Sequence, residues 1–182
     1  MVRRSRRYVA FLRAINVGGH TVKMTRLRAS FESLGFTNVE TFIASGNVIF
    51  ESPSASVAAL ERRIEQRLRD ELGYDVATFV RTLAEISAAA THRAFPPFVE
   101  PLTLWVGFVR AEPSATGRLA LTSCETATDA FHVHGRELYW LRTRMSDSKV
   151  TGKQLERAIG MPFTMRNVTT LRRLAAKYPS DV

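Results

Sequence analysis

The stretch Leu34-Gly35-Phe36-Thr37-Asn38-Val39-Glu40-Thr41-Phe42-Ile43-Ala44-Ser45-Gly46-Asn47-Val48-Ile49-Phe50-Glu51 carries three signals in succession. Gly35 stands where a helix C-cap glycine belongs, and the Met24, Leu27, Phe31 and Leu34 before it recur at spacings that share one helix face. Val39–Ala44 and Val48–Glu51 read as two short strands, with Ser45-Gly46-Asn47 as a tight hairpin turn between them. Outward toward the N-terminus, Tyr8–Leu12 is a continuous apolar run that predicts a buried strand, and the loop Asn16-Val17-Gly18-Gly19 follows it. Outward in the other direction, Val57, Leu60, Ile64, Leu68 and Leu72 mark a second helix that stops at Gly73. A strand over Val76–Val80 ends at Arg81, and a third helix covers Leu83–Ala90. The order β-α-β-β-α-β with a trailing helix is that of a ferredoxin-like half.

The same order returns beyond residues 93–101, where Pro96, Pro97 and Pro101 cluster. Leu102–Val109 predicts a strand and Ala115–Thr122 a helix. Ala130–Val133 and Leu138–Leu141 predict strands across the turn His134-Gly135-Arg136. Val150–Ile159 has helical spacing up to Gly160, Phe163–Met165 is a short strand, and Val168–Lys177 is a final helix. Arg81 and Arg166 each close a fourth strand and open the last helix of their half. The expected fold class is therefore α+β: two ferredoxin-like halves arising by internal duplication, with a basic tail at residues 1–7, a first half at 8–92 and a second at 101–178. The helices should lie on one face of each sheet, and the strands should alternate apolar and polar residues.

Of the 182 residues, 45% are hydrophobic and 24% charged, globular proportions that exclude a disordered or collagen-like polymer. The longest apolar stretch, Leu102–Val109, falls far short of the roughly 20 residues a membrane-spanning helix needs. Tyr8–Leu12 is cut short by Arg13, so it is no secretory signal, and a cytoplasmic location is expected. One cysteine, Cys124, excludes an internal disulfide and has no Cys or His at a metal-ligand spacing. The net charge is +9, and 22 of the 26 basic residues are arginines, Arg3, Arg4, Arg6 and Arg7 among them. A field of that sign draws phosphates, nucleic acid included, but a solubilising surface explains it more simply.

Chemistry concentrates in a few loops. Arg13-Ala14-Ile15-Asn16-Val17-Gly18-Gly19 sets a cation, an amide and two glycines between a strand and a helix, where backbone N–H groups can face an anion. Its glycine spacing fits neither the dinucleotide fingerprint nor the Walker A loop, and a glycine turn in a tight connection accounts for it as well. Ser45 and Asn47 offer a hydroxyl and an amide, although turn chemistry alone explains Ser-Gly-Asn. The forked guanidinium of Arg166 suits phosphate or carboxylate, and Asn167 suits a helix N-cap. Ser148 reads as another cap, with Lys149 in a first turn where a cation opposes the helix dipole.

Taken together, Arg13-Ala14-Ile15-Asn16-Val17-Gly18-Gly19, Met24-x-x-Leu27, Leu34-Gly35-Phe36, Ser45-Gly46-Asn47-Val48-x-Phe50, Ser148-Lys149 and Thr164-x-Arg166-Asn167-x-x-Thr170 resemble the DUF1697 family of uncharacterised bacterial proteins. The resemblance runs from about Tyr8 to Lys177. It implies a duplicated α+β fold with ferredoxin-like halves, and no established activity, substrate or cofactor. Ala14 departs from the family's frequent Gly, and Val168 from its frequent Trp, which removes an aromatic surface for stacking.

Familiar catalytic patterns are missing. His132 and His134 share a strand face, but only the distant Asp129 could join them, so they read as solvent-facing. Ser146-Asp147-Ser148-Lys149 matches S-x-x-K without its companion motifs, and Thr151-Gly152-Lys153 lacks the upstream glycine of a phosphate loop. No metal site and no cofactor are expected. The favoured expectation is a binding protein for a phosphate-bearing or other anionic ligand, nucleotide and nucleic acid included. The ligand would sit in a polar cleft between the halves formed by Arg13, Asn16, Gly18, Gly19, Ser45, Asn47, Lys149, Arg166 and Asn167. The competing expectations are an enzyme acting on a small anionic metabolite, for which His20 is the one local acid–base candidate, and motifs that are purely structural. No membrane partner is expected, and the oligomeric state is left open.

Overall fold

The computed structural model describes residues 5–16, 18, 19, 21–43, 46–143 and 148–179. Val17, His20, Ser45, Ser146 and Asp147 lie outside them. The elements run β1 (Arg6–Leu12), α1 (Met24–Glu32), β2 (Thr37–Thr41), β3 (Asn47–Ser52), α2 (Val57–Leu72), β4 (Thr78–Thr82) and α3 (Leu83–Thr91). They continue as β5 (Thr103–Phe108), α4 (Ala115–Thr122), β6 (Asp129–His134), β7 (Glu137–Arg142), α5 (Gly152–Ile159), β8 (Thr164–Asn167) and α6 (Val168–Lys177). Two compact units result, one built from residues up to Ile86 together with Tyr178, the other from Ser87–Lys177.

In the first unit the strands form one antiparallel sheet in the order β2-β3-β1-β4. Ser56 starts α2 by accepting the Ala59 N–H, and Gly73 ends it at φ +79°, a left-handed conformation a side chain would strain. Tyr8, Ala10, Leu12, Phe50 and Val80 pack with Leu27, Phe31, Leu60, Ile64 and Leu68 into the core. Each fully buried side chain of this kind is worth roughly 1.5–3 kcal/mol. The residues of the opposite sheet face, Val9, Phe11, Ile49 and Phe79, are equally buried. The expected apolar–polar alternation is therefore absent, because a sheet covered on both faces reads as continuous apolar runs, as Tyr8–Leu12 does. The outer edge of β4 is closed by α2: Glu65 accepts the Thr78 N–H at 2.8 Å and Glu61 the Val80 N–H at 2.9 Å.

Two boundaries shift for local reasons. Arg6 and Arg7 are strand residues, since Arg7 lies opposite Glu51 and ion-pairs with it at 2.8 Å. Asn47 belongs to β3 and not to the turn, because Phe42 N–H donates to its carbonyl at 2.9 Å while its own side-chain amide donates to the Phe42 carbonyl at 2.9 Å.

The second unit repeats the topology in the order β6-β7-β5-β8, also antiparallel. The repetition extends to register. Arg81 lies opposite Val9 and Arg166 opposite Val106, each one residue inside its strand and not at its end. Leu12 N–H donates to the Gly46 carbonyl just as Val109 N–H donates to that of Arg136. The helix expected from Val150 begins at Gly152, because Thr151 and Gln154 form a capping box there. Ser148 is consequently not its cap, and exposed Lys149 precedes the helix instead of opposing its dipole.

Candidate functional site

In the first unit, the loop after β1 is anchored from three sides. Arg13 N–H donates to the Ala77 carbonyl at 2.9 Å, the Tyr74 hydroxyl donates to the Ile15 carbonyl at 2.9 Å, and the Asn16 side-chain oxygen accepts the Val22 N–H at 2.8 Å. Gly46 of the neighbouring turn sits against the same loop, with φ +75° and room for nothing larger. A Cβ there would meet Ile15 Cγ2 at 3.0 Å and Leu12 Cβ at 3.1 Å. The β1–α1 loop and the β2–β3 turn thus meet at one end of the sheet. Arg13 is half-buried, Asn16, Gly18 and Gly19 are exposed, and both glycines hold positive φ with open space around them. Asn47 faces inward, fully buried, and Ser45 lies outside the described residues.

The candidates of the second unit do not share one environment. Arg166 is buried within β8, where its guanidinium donates to Thr164 Oγ1 at 2.9 Å and to the Met165 carbonyl at 2.8 Å. Burial pushes its pKa down to about 10. Asn167 accepts the Thr169 N–H at 2.8 Å, the hydrogen bond of a helix cap. Lys149 projects from the segment leading into α5.

Beside Lys149 lies a cavity of about 380 Å³ lined by Trp105, Trp140, Arg142, Ser148, Val150, Thr151, Gly152 and Met165. Trp105 and Trp140 face each other across β5 and β7, and the Arg142 guanidinium stacks 4.1 Å from the Trp140 ring centre. Asp129, which is 2% exposed, fixes this wall. Its Oδ1 accepts from Trp140 Nε1 at 2.8 Å and Ser148 Oγ at 2.7 Å, and its Oδ2 accepts from Thr126 and Thr128, each at 2.8 Å. Burial raises the carboxyl pKa, but hydrogen bonds from Ser148, Thr126, Thr128 and Trp140 outweigh it and hold the group below its ordinary value.

A third cluster stacks imidazoles. The ring of His92 lies 4.2 Å from that of His134, 5.4 Å from that of His132 and 4.9 Å from that of Tyr139. Burial first, then the neighbouring His134 and His132, lower the His92 pKa. Among the described residues no group of three or more His, Cys, Asp and Glu is arranged to hold a metal ion. Nor is any helix among them long and apolar enough to cross a membrane.

The sequence profile described as "Protein of unknown function (DUF1697)" matches residues 6–139. The chain belongs to the DUF1697 family. The conserved bacterial protein SP0830 from Streptococcus pneumoniae has a solved structure that is similar to this DUF1697 chain. The likeness covers 95% of this chain and 98% of that one, with a TM-score of 0.70 at 22% identity, and it is a likeness of fold. No curated protein matches the sequence.

Sequence reasoning about this DUF1697 member missed the Asp129 network and the cavity beside it. One signal was present: Thr126-Ala127-Thr128-Asp129 places two hydroxyls just before a carboxylate, a pattern that favours local side-chain hydrogen bonding. The pairing of Trp105 with Trp140 depends on strand register, which neither residue announces.

Proposed function

We propose that the protein is a cytoplasmic binding protein for a small phosphate-bearing or otherwise anionic ligand, recognised in the first unit by the β1–α1 loop. Arg13 supplies charge, Asn16 orders the loop, and Gly18 and Gly19 leave backbone N–H groups approachable. The observation that carries this reading is the anchoring. A glycine-rich loop would ordinarily be mobile, yet this one is held by Tyr74, Val22, Ala77 and the packed Gly46 while its two glycines stay exposed. Pre-organisation of that kind reduces the ordering cost of binding an anion.

The test is a thermal-shift panel of nucleotides, sugar phosphates and inorganic phosphate against the wild type and Arg13→Ala. A ligand present at 100 times its Kd stabilises the folded state by about 2.7 kcal/mol, a rise of roughly 5–10 °C for a chain of this size. The expected result is a rise in the wild type that Arg13→Ala removes. Binding that survives in a folded Arg13→Ala variant rejects the reading. If the ligand is duplex nucleic acid, affinity should fall with salt at a log–log slope of about −0.9 per phosphate contact.

A further inference from the structure

We infer that the stacked rings of His92, His132 and His134 form an acid-released latch. It holds the segment from His92 to Pro101 against β6 and β7 at neutral pH and frees it on proton uptake. This segment leads from the end of α3 to β5, and rings hold it down. His92 lies 4.2 Å from His134 with 19° between the ring planes, 5.4 Å from His132 and 4.9 Å from Tyr139. Three residues on, Phe95 sets its ring edge-on to His132 at 6.4 Å. The Tyr139 hydroxyl donates to the Ala89 carbonyl at 3.5 Å, so the same β7 residue also holds the last turn of α3.

The stack is built for neutral rings. His92 Nε2 is buried and has no hydrogen-bond partner. In a neutral ring that nitrogen is at worst an unused acceptor. An imidazolium carries N–H on both nitrogens, and here one charged donor would be left unpaired, a cost relieved only by moving the ring into water. The surrounding charges act in the same direction. His132 and His134 face His92 from β6, and Arg118 of α4 acts on His132. Glu137 of β7 is the one carboxylate among the described residues that favours a charged His92, and burial with the two imidazoles outweighs it. Burial and Glu137 raise the Tyr139 pKa, so that ring stays neutral as well. His134 is exposed at the end of β6 and open to protons from solvent. Protons on both His134 and His92 would set like charges on rings whose centres are 4.2 Å apart. A released His92 titrates near its free value of about 6.5, whereas the latched ring stays neutral. The freed population therefore grows about tenfold between pH 7.5 and 5.5.

Trypsin reads the segment directly, because Arg93 lies exposed beside His92 with Ala94 after it. The full-length chain is digested at pH 7.5 and pH 5.5 and the fragments are identified by mass. Initial rates are divided by the rate on a small arginine ester at the same pH. Cleavage after Arg93 should rise about tenfold at pH 5.5, in step with the freed population. Cleavage after Arg81 in β4 and Arg142 in β7, both buried, reports unfolding of the two units and should stay level. His92→Phe keeps a flat ring that cannot take a proton, so its Arg93 rate should hold nearly constant with pH. If His92→Phe loses the wild-type circular dichroism, His92→Gln replaces it and should likewise be cleaved at nearly one rate. A wild-type Arg93 rate that ignores pH, an equal rise in the folded variant, or a parallel rise at Arg81 and Arg142 would overturn the latch.

Discussion

Gly46→Ala probes the contact on which the first unit's loop architecture rests. The glycine holds φ +75°, and moving an L-residue into that region costs about 1–2 kcal/mol. The added methyl would also press Ile15 Cγ2 at 3.0 Å and Leu12 Cβ at 3.1 Å, neither of which is the loose end of a long side chain. Overpacking of that order costs about 1–3 kcal/mol, so the substitution should destabilise by about 2–5 kcal/mol in all. Gly18→Ala and Gly19→Ala are internal controls. Their φ values are +70° and +85° with no atom within 4 Å of the new Cβ, which leaves the backbone cost alone, about 1–2 kcal/mol. Urea denaturation should show a lower midpoint at unchanged slope for all three variants, with Gly46→Ala the lowest. A double-mutant cycle sharpens the test. Ile15→Ala removes the crowding methyl, so Gly46→Ala should cost about 0.5–3 kcal/mol less in that background. Equal midpoints for Gly46→Ala and Gly18→Ala, or strict additivity with Ile15→Ala, would refute the packing of turn on loop.

Two pH effects follow from the second unit. Asp129 is held below its ordinary pKa, so its stabilising contribution is complete above the unfolded value of about 3.9 and is lost as pH falls from there toward the lower folded value. Urea midpoints at pH 6 and pH 3 should therefore converge in Asp129→Asn relative to wild type, and the Trp140 indole N–H resonance should move in the variant at both pH values. His92 is also lowered, chiefly by burial, so folding favours the neutral ring. Stability is full above about pH 6.5 and falls as pH drops toward the folded value, because the unfolded chain binds the proton first. His92→Phe keeps a flat ring against His134 and Tyr139 but cannot titrate. Its urea midpoint should change less between pH 7.5 and 5.5 than that of the wild type, and an unchanged slope against pH would discount the imidazole stack.

Much of the fold was legible because its signals are local. Gly73 and Gly160 announce helix ends that adopt φ +79° and +74°, and the five helical positions from Val57 to Leu72 face the core as their spacing implies. Sheet covering is not local. Whether Val9 and Phe11 meet water depends on what packs over them, so the expectation of a polar face failed although the apolar run at Tyr8–Leu12 was visible. Caps were misread where two hydroxyls competed: Ser148 precedes Thr151 by three residues, and only Thr151 has a glutamine at the position that completes a capping box. Of the candidate residues, the loop glycines lie exposed after β1 where the sequence set them, whereas Lys149 precedes α5 instead of entering its first turn. The inward turn of Asn47 could not be foreseen, because a buried amide and a solvent-facing one look alike in one dimension.

The repeat explains why the chemistry of the cavity was harder to see than the topology. The two units share positions that carry backbone geometry or close packing: Arg81 and Arg166 sit at the same register, and Leu12 and Val109 each donate an N–H to the following hairpin turn. They differ at the positions that fill space. Phe31 and Phe36 cover Phe50 in the first unit, whereas Trp140 packs against Phe131 at 5.5 Å and beneath the Arg142 guanidinium. Asp129 on β6 ties β7 and the segment before α5 together by taking hydrogen bonds from Trp140 and Ser148, which holds the indole beneath its stacked guanidinium. The same network ties the unit to pH, since protonating Asp129 removes the acceptor that Trp140 and Ser148 share.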